Sequence, residues 1–277
     1  MIVSISAIVL TKNEVNNLSR CIHSLQWCDE TIIIDSGSTD GTCELASKLN
    51  LKVFTHIQTG LFKISEQRNW ALKNCNLQGD WILFVDADET IPDELSFEIV
   101  KTCSDLSHSY NAYELTPRYL FWGKWLKRTQ GYPNWHPRLI KKDEVYFTGG
   151  VWEQFSSNAN VGRIYNPYNH YANSKGFSDW LERHDRYSSW DACKVVDFLE
   201  TQHSSVLETN RKLRLRILAA KFWMFRPIAR FLHMYFFRLG FLEGSEALCF
   251  CLMYSFYELM IVIKIIEIQR KKMNLSL

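Results

Sequence analysis

Trp81-Ile82-Leu83-Phe84-Val85-Asp86-Ala87-Asp88-Glu89 is an apolar run that stops at two carboxylates one residue apart. A short continuous apolar run bounded by polar residues predicts a buried strand, with Asp86 and Asp88 at and just past its carboxyl end. Outward from this stretch the same unit recurs. Ile2 to Leu10 is apolar and β-branched, and Asn16 to Leu25 then spaces Leu18, Ile22 and Leu25 on one helical face. Thr31 to Ile34, Thr42 to Leu49, Leu51 to Phe54 and Ser65 to Cys75 continue as strand, helix, strand and helix. Alternating βα units predict a parallel sheet, and open parallel sheets bind ligands beyond the carboxyl ends of their strands. The polar sets that fall there are Thr11 to Glu14, Asp35 to Asp40 and Asp86 to Glu89, each carrying carboxylates.

Two carboxylates at this spacing can converge on one Mg²⁺ or Mn²⁺ ion, whose shell diphosphate oxygens would complete. The plainer reading is a pair of strand-ending Asp residues that cap the next helix. In Asp35-Ser36-Gly37-Ser38-Thr39-Asp40-Gly41, small residues follow a strand and precede a helix. Asp35 can accept a hydrogen bond from a base or ribose while Ser36, Gly37 and Ser38 let a ligand approach the backbone. The alternative is a polar turn with Asp40 or Thr42 as N-cap. Arg138, with Lys141 and Lys142 nearby, is either a phosphate contact or part of a solvated charge run. His170 and His184 lack a third ligand at metal spacing and read as structural.

In their order these motifs resemble the inverting family 2 glycosyltransferases with the GT-A fold. Thr11-Lys12-Asn13-Glu14 matches the opening signature, Asp35 to Asp40 the Asp-rich turn, Arg68 the helical Arg, and Asp86-Ala87-Asp88 the metal-binding motif. The resemblance implies that Thr11, Asn13, Glu14, Asp35, Ser36, Gly37, Ser38, Arg68, Asp86 and Arg138 hold the donor, and that Asp86 and Asp88 hold the metal. Gly131-Tyr132-Pro133 through Arg138-Leu139, then Gly149-Gly150-Val151-Trp152-Glu153, resemble the subgroup that adds glucose or a related hexose to lipopolysaccharide inner core. That subgroup usually has His where this chain has Trp152. Glu153 is then the implied general base, with Asp143 and Glu144 as competitors in what reads as a solvated turn.

A chain of 277 residues that is 47% hydrophobic can bury a sizeable core. Residues 1–100 carry 7 Lys or Arg against 14 Asp or Glu, so the overall +2 hides an acidic half and a basic one. An acidic half needs a cation to take a phosphorylated donor, whereas a basic, aromatic half suits an anionic membrane. Between Arg211 and Leu242 stand eight Lys or Arg, eight aromatics and no acid, which predicts a membrane-surface helix or else a packed hairpin with solvated Arg side chains. Ala247 to Ile263 is the most apolar stretch, but Glu258 interrupts it and argues against a span. Pro227 should start or kink a helix, and Gly240 with Gly244 should mark a turn.

The expected organisation is α/β: a GT-A catalytic domain over 1–175, with a nucleotide-sugar half (1–110) and an acceptor half (111–175). A helical, amphipathic, membrane-associating region over 176–277 follows. Eight cysteines without a CxxC pair, and a start lacking a basic n-region and a long apolar h-region, predict a cytoplasmic protein, peripheral on the inner membrane. The leading expectation is metal-dependent, inverting transfer of a hexose from a nucleotide-sugar, UDP-sugar favoured, to a glycolipid or lipopolysaccharide-core acceptor, with no nucleic-acid partner. A sugar-phosphate nucleotidyltransferase would need a Gly-rich phosphate loop, and Thr11 to Asn17 has no Gly. A catalytically inactive membrane-surface module is the non-enzymatic alternative.

Overall fold

The computed structural model describes residues 3–60, 62–105, 107, 109–149, 153–201 and 222–276. By packing, the chain divides into two compact units, one of Met1–Leu120 with Tyr132–Ser174 and one of Phe121–Gly131 with Lys175–Leu277.

The first unit is built on strands β1 (Ile5–Thr11), β2 (Glu30–Asp35), β3 (Lys52–Thr55) and β4 (Trp81–Asp86), separated by helices α1 (Val15–His23), α2 (Thr42–Lys48) and α3 (Ile64–Asn74). β2 and β4 flank β1 in parallel and β3 pairs in parallel with β2. Helix α4 (Asp93–Ser104) follows the two-residue strand β5 (Glu89–Thr90), and the short strands β6 (Ala112–Leu115), β7 (Pro117–Phe121), β8 (Lys124–Trp125) and β9 (His136–Lys141) come next. Then come β10 (Phe147–Gly149), β11 (Glu153–Phe155), β12 (Val161–Arg163) and β13 (Tyr168–His170). The main sheet runs β12-β6-β9-β4-β1-β2-β3, with β9 antiparallel to β4, so it is mixed. Ile8, Ile32, Ile34, Ile82 and Phe84 are buried on one face, and Ala7, Val9, Ile33, Leu83 and Val85 on the other. Burial on both faces is why these strands read as unbroken apolar runs.

The register aligns the strand ends: Thr11 lies opposite Asp35, Leu10 opposite Asp86, and Asp35 opposite Thr55. The three polar loops therefore share one sheet edge, as the alternation predicts. The run from 111 to 169, irregular by pattern, is a set of strands of two to six residues, too short to show a period.

The second unit contains α5 (Gly176–Thr201), α6 (Arg226–Leu232) and α7 (Gly244–Lys272). Pro227 sits in the first turn of α6, and Gly240–Glu243 forms a 3₁₀ turn before α7. Glu258 does not interrupt α7, which continues for 29 residues. With the preceding turn, Gly240–Lys272 is long and apolar enough to cross a membrane by length and composition alone. Glu258 is buried because Arg226 Nε donates to it at 2.6 Å and Arg230 Nη2 at 2.7 Å. Two of the arginines expected to form a lipid-facing basic surface are thus paired with Glu258, though both stay partly exposed. Residues 211–221 of that segment lie outside the described residues.

Candidate functional site

At the carboxyl end of β1 the chain turns through Asn13, whose φ of 55° is in the left-handed region that Asn tolerates better than most residues. Its N–H donates to Ser38 Oγ at 2.8 Å and its Oδ1 accepts the Thr39 N–H at 2.8 Å, tying the first loop to the second. Glu14 Oε2 accepts from Asn17 Nδ2 at 2.8 Å. Lys12 Nζ donates to the Ser36 and Gly37 carbonyls. Gly37 needs its φ of 85°, and a side chain there would meet Ile57 Cδ1 at 2.9 Å. Its glycine is thus explained by the turn and by packing.

Asp35, expected to face a base or ribose, is 1% exposed. Its two oxygens accept from Thr11 Oγ1, Ser38 Oγ, and the N–H groups of Gly37 and Ser38, all within 2.8 Å. Four donors meet the carboxylate, so Asp35 shapes the loop. Burial pushes its pKa up, but these hydrogen bonds outweigh burial and hold it below the ordinary value.

Asp86 and Asp88 face different partners. Arg138 Nη2 donates to Asp86 Oδ2 at 2.8 Å and to Glu89 Oε1 at 2.7 Å, while Glu89 Oε2 accepts the Asp86 N–H at 2.9 Å. The guanidinium, buried and lying over Tyr168, braces the turn from beneath, a different position from the phosphate contact or solvated charge expected of it. Burial pushes Glu89 up to about 7 against the pull of Arg138. Asp88 Oδ2 lies 3.4 Å from His170 Nε2, and the Asp88 carbonyl accepts the Tyr171 N–H at 2.9 Å. Burial opposes a charged His170, yet Asp88, Glu89 and Asp86 raise it to about 9. His184, by contrast, is structural as expected: it stacks on Trp180, with ring centroids 4.0 Å apart, in the other unit.

The sequence reading gave Glu89 no role of its own and took His170 as structural. Antiparallel pairing of β13 with β5 sets His170 opposite Glu89, a contact between residues far apart in the chain. Only the acid directly after the Asp pair hinted at it.

Arg68, on α3, is fully buried, with Nη1 donating to the Pro137 carbonyl at 2.7 Å and lying 2.9 Å from Glu153 Oε2. The second contact is an ion pair without hydrogen-bond alignment, since Glu153 Oε2 has no aligned donor. Burial raises the Glu153 pKa, opposed by Arg68 and Arg138. Gly150, Val151 and Trp152 lie outside the described residues. Asp143 and Glu144 sit on the turn after β9, where Glu144 pairs with exposed Lys141. A cavity of about 600 Å³ near that turn, lined by Asn69, Lys73 and Lys142, lies at the opposite end of β4 from Asp86, where Lys141 pairs with Trp81.

Among the described residues, no three His, Cys, Asp or Glu side chains group closely enough to hold a metal by themselves. Asp88 and, once it has given up its proton, His170 would supply two donors, and phosphate oxygens would complete the shell of a Mg²⁺ or Mn²⁺ ion. Arg68 Nε and Nη2, Arg138 Nε and Nη1, Tyr168 Oη and His170 Nδ1 are buried without hydrogen-bond partners. The buried cations among them place positive charge beneath the carboxylates of the turn.

The model of glycosyl transferase family 2 matches residues 6–162, from β1 to β12 and including every candidate from Thr11 to Glu153. The chain belongs to glycosyl transferase family 2. Among its relatives, an uncharacterized glycosyltransferase of Rickettsia conorii is 41% identical over 96 residues, a stretch that covers 34% of this chain and 32% of that protein. One of Rickettsia typhi is 25% identical over 281 residues, covering 98% of this chain and 89% of its own. The lipopolysaccharide core biosynthesis glycosyltransferase LpsC of Rhizobium meliloti is 34% identical over 96 residues, 31% of this chain and 32% of LpsC. Among solved structures, S. aureus TarS 1–349 is similar at a TM-score of 0.44 and 18% identity, over 86% of this chain and 79% of that one. The Mycobacterium tuberculosis glucosyl-3-phosphoglycerate synthase in complex with Mn²⁺, uridine-diphosphate and glucosyl-3-phosphoglycerate has the same TM-score at 17% identity, over 65% of this chain and 75% of that one. The fold is that of the GT-A enzymes, carried by the mixed sheet and the family match together.

Proposed function

We propose that the chain is a divalent-metal-dependent, inverting hexosyltransferase that moves a sugar, glucose favoured, from a UDP-sugar to a glycolipid acceptor such as lipopolysaccharide core. The observation that carries this reading is the meeting of Asp88 and His170 at the β4 end, above the buried positive charge of Arg138, which pairs with Asp86 and Glu89. The loops at Thr11 to Glu14 and Asp35 to Ser38 form the donor side. Asp88 and His170 would hold the ion, which supplies electrophilic stabilisation of the leaving diphosphate. Asp86 is locked by Arg138 and Glu89 and fixes the turn. Glu153 takes the proton from the acceptor hydroxyl as that oxygen bonds to the anomeric carbon and the carbon–oxygen bond to the diphosphate breaks. Arg68 holds Glu153.

The LpsC relative, described as a lipopolysaccharide core biosynthesis glycosyltransferase, supports an oligosaccharide acceptor. The acceptor half of 111–175 and a membrane-associating 176–277 belong to this reading, with the protein peripheral on an anionic cytoplasmic membrane face. The test is UDP release from nucleotide-sugars screened with and without Mn²⁺ or Mg²⁺. Release should need the ion and be abolished in Asp88→Ala. Metal-insensitive release, or wild-type turnover by the folded variant, would sink the assignment.

A further inference from the structure

Helix α7 is apolar on two sides. Ala247, Cys251, Ile261 and Ile265 are buried on one of them, the last two against Ala192 and Val196 of α5. From Leu248 to Ile266 every exposed residue of the helix is large and apolar: Leu248, Leu252, Phe256, Leu259, Ile263 and Ile266. At about 100° per residue these six fall within an arc of roughly 80°, and at 1.5 Å per residue they run for about 27 Å. Soluble proteins rarely leave such a contiguous apolar surface uncovered. Phe237, Phe241 and Leu242, just before the helix, are also exposed.

We infer that this stripe is the face by which the protein enters a lipid surface, with α7 lying in the plane of the membrane. The inference rests on the glycolipid-acceptor reading and specifies how the enzyme meets the membrane.

Three observations choose lipid over other occupants. The second unit carries 19 Lys or Arg against 11 Asp or Glu, so it is attracted to anionic headgroups and repelled by a second copy of itself. Glu258, the acid in the middle of the helix, is turned inward and clamped by Arg226 and Arg230. Helix α7 is also bound along its length to α5, which is studded with acids: Tyr257 Oη donates to Asp191, Lys264 Nζ to Asp185 and Lys272 Nζ to Glu200. These contacts lie on the side of α7 away from the stripe, and α5 cannot follow its partner into hydrocarbon. A helix held in this way lies along the interface, with its outer stripe in the acyl boundary.

The contact is then mainly hydrophobic, unlike the electrostatic adhesion read from the basic segment alone. The test is flotation of the full chain with vesicles of phosphatidylcholine, pure or with about three parts in ten phosphatidylglycerol, at low and molar salt. Wild type should float with both and stay bound at molar salt. The variant Leu252→Asn/Phe256→Asn/Leu259→Asn/Ile263→Asn should lose about a hundredfold or more in partitioning, since each removed chain gives up several-fold. It should keep its melting temperature within a few degrees and release UDP from soluble donor at the wild-type rate. Should it not fold, Leu252→Asn and Ile263→Asn measured singly should each still cost several-fold.

Unchanged flotation of a folded variant overturns the inference. So does wild-type binding that needs phosphatidylglycerol and washes off in salt, which returns the contact to the basic surface. A wild-type dimer dissolved by the substitutions would assign the stripe to a second copy, and a C-terminus protected from protease across the bilayer would make α7 a span. Loss of UDP release in wild type bears on the enzymatic reading alone.

Discussion

Replacing Arg68 with Met separates two roles for this residue. The resemblance implies a donor contact, whereas the structure sets a fully buried guanidinium 2.9 Å from Glu153 Oε2. Burial raises the Glu153 pKa, and Arg68 is the largest influence opposing it. With the guanidinium gone, burial prevails further and the carboxyl holds its proton to higher pH. An opposite charge at this range is worth about one to three pH units. The acidic limb of the kcat/KM profile should therefore move upward by about that amount, with activity on the limb falling about tenfold per pH unit. Met fills the buried volume but leaves the Pro137 carbonyl, now bonded to Arg68 at 2.7 Å, without its donor. That loss costs about 1–3 kcal/mol of stability, which a melting curve measures separately from rate. The assay is UDP release between pH 5 and 9 with saturating Mn²⁺, using Glu153→Gln as the control whose limb should vanish. A limb unmoved in Arg68→Met, together with a raised KM for the donor, would refute the positioning role and restore the donor contact.

Asp35→Asn should cost about 1–2 kcal/mol, because an amide oxygen can keep the Gly37 and Ser38 N–H groups while its nitrogen turns to the Thr11 and Ser38 hydroxyls, but the charge-assisted bonds are lost. The folded pKa of Asp35 is depressed, so its stabilisation is present above the ordinary carboxylate value of about 4 and is lost as pH falls through the lower folded value. Urea unfolding at pH 7 and pH 3 should show the wild type losing more stability than the variant; equal losses would contradict this. Glu258→Gln should destabilise the helical unit by about 2 kcal/mol, after discounting for the partly exposed arginines, by leaving two guanidiniums facing a neutral amide. A change below about 0.5 kcal/mol in urea would mean that the clamp is idle.

The first hundred residues were legible because strands buried on both faces must be apolar throughout, and their polar ends then mark the ligand edge. The later strands β10 to β13 have only three residues each, which leaves no period to read. Partners far apart in the chain were equally hidden. Arg226 and Arg230 look like free positive charge until folding brings Glu258 to them, and His170 looks idle until β13 pairs with β5. The carboxylates were visible as a group, yet their division of labour was not. That Asp35 is held by four donors, Asp86 braced and Asp88 set against a His follows from neighbours that only the fold supplies.

Two adjacent residues of α3 connect the two sides of the proposed reaction. Gln67 Nε2 donates to Ser36 Oγ and to the His56 carbonyl, both at 3.1 Å, and its Oε1 lies 2.7 Å from His56 Nδ1. It is fully buried, so each of these bonds is costly to break without replacement. Arg68, the next residue, holds Pro137 at the start of β9 and lies against Glu153 at the start of β11. One turn of helix thereby fixes the loop proposed to shape the donor side and the carboxylate proposed to accept the proton. A general base works only when its oxygen stays within hydrogen-bond reach of the attacking hydroxyl, and misplacement by about 1 Å costs on the order of a hundredfold in rate. Anchoring both groups to neighbouring positions on one buried helical turn limits their relative drift to the small play of a packed core. The buried Arg68 serves this arrangement by bonding the Pro137 carbonyl on one side and lying against Glu153 on the other.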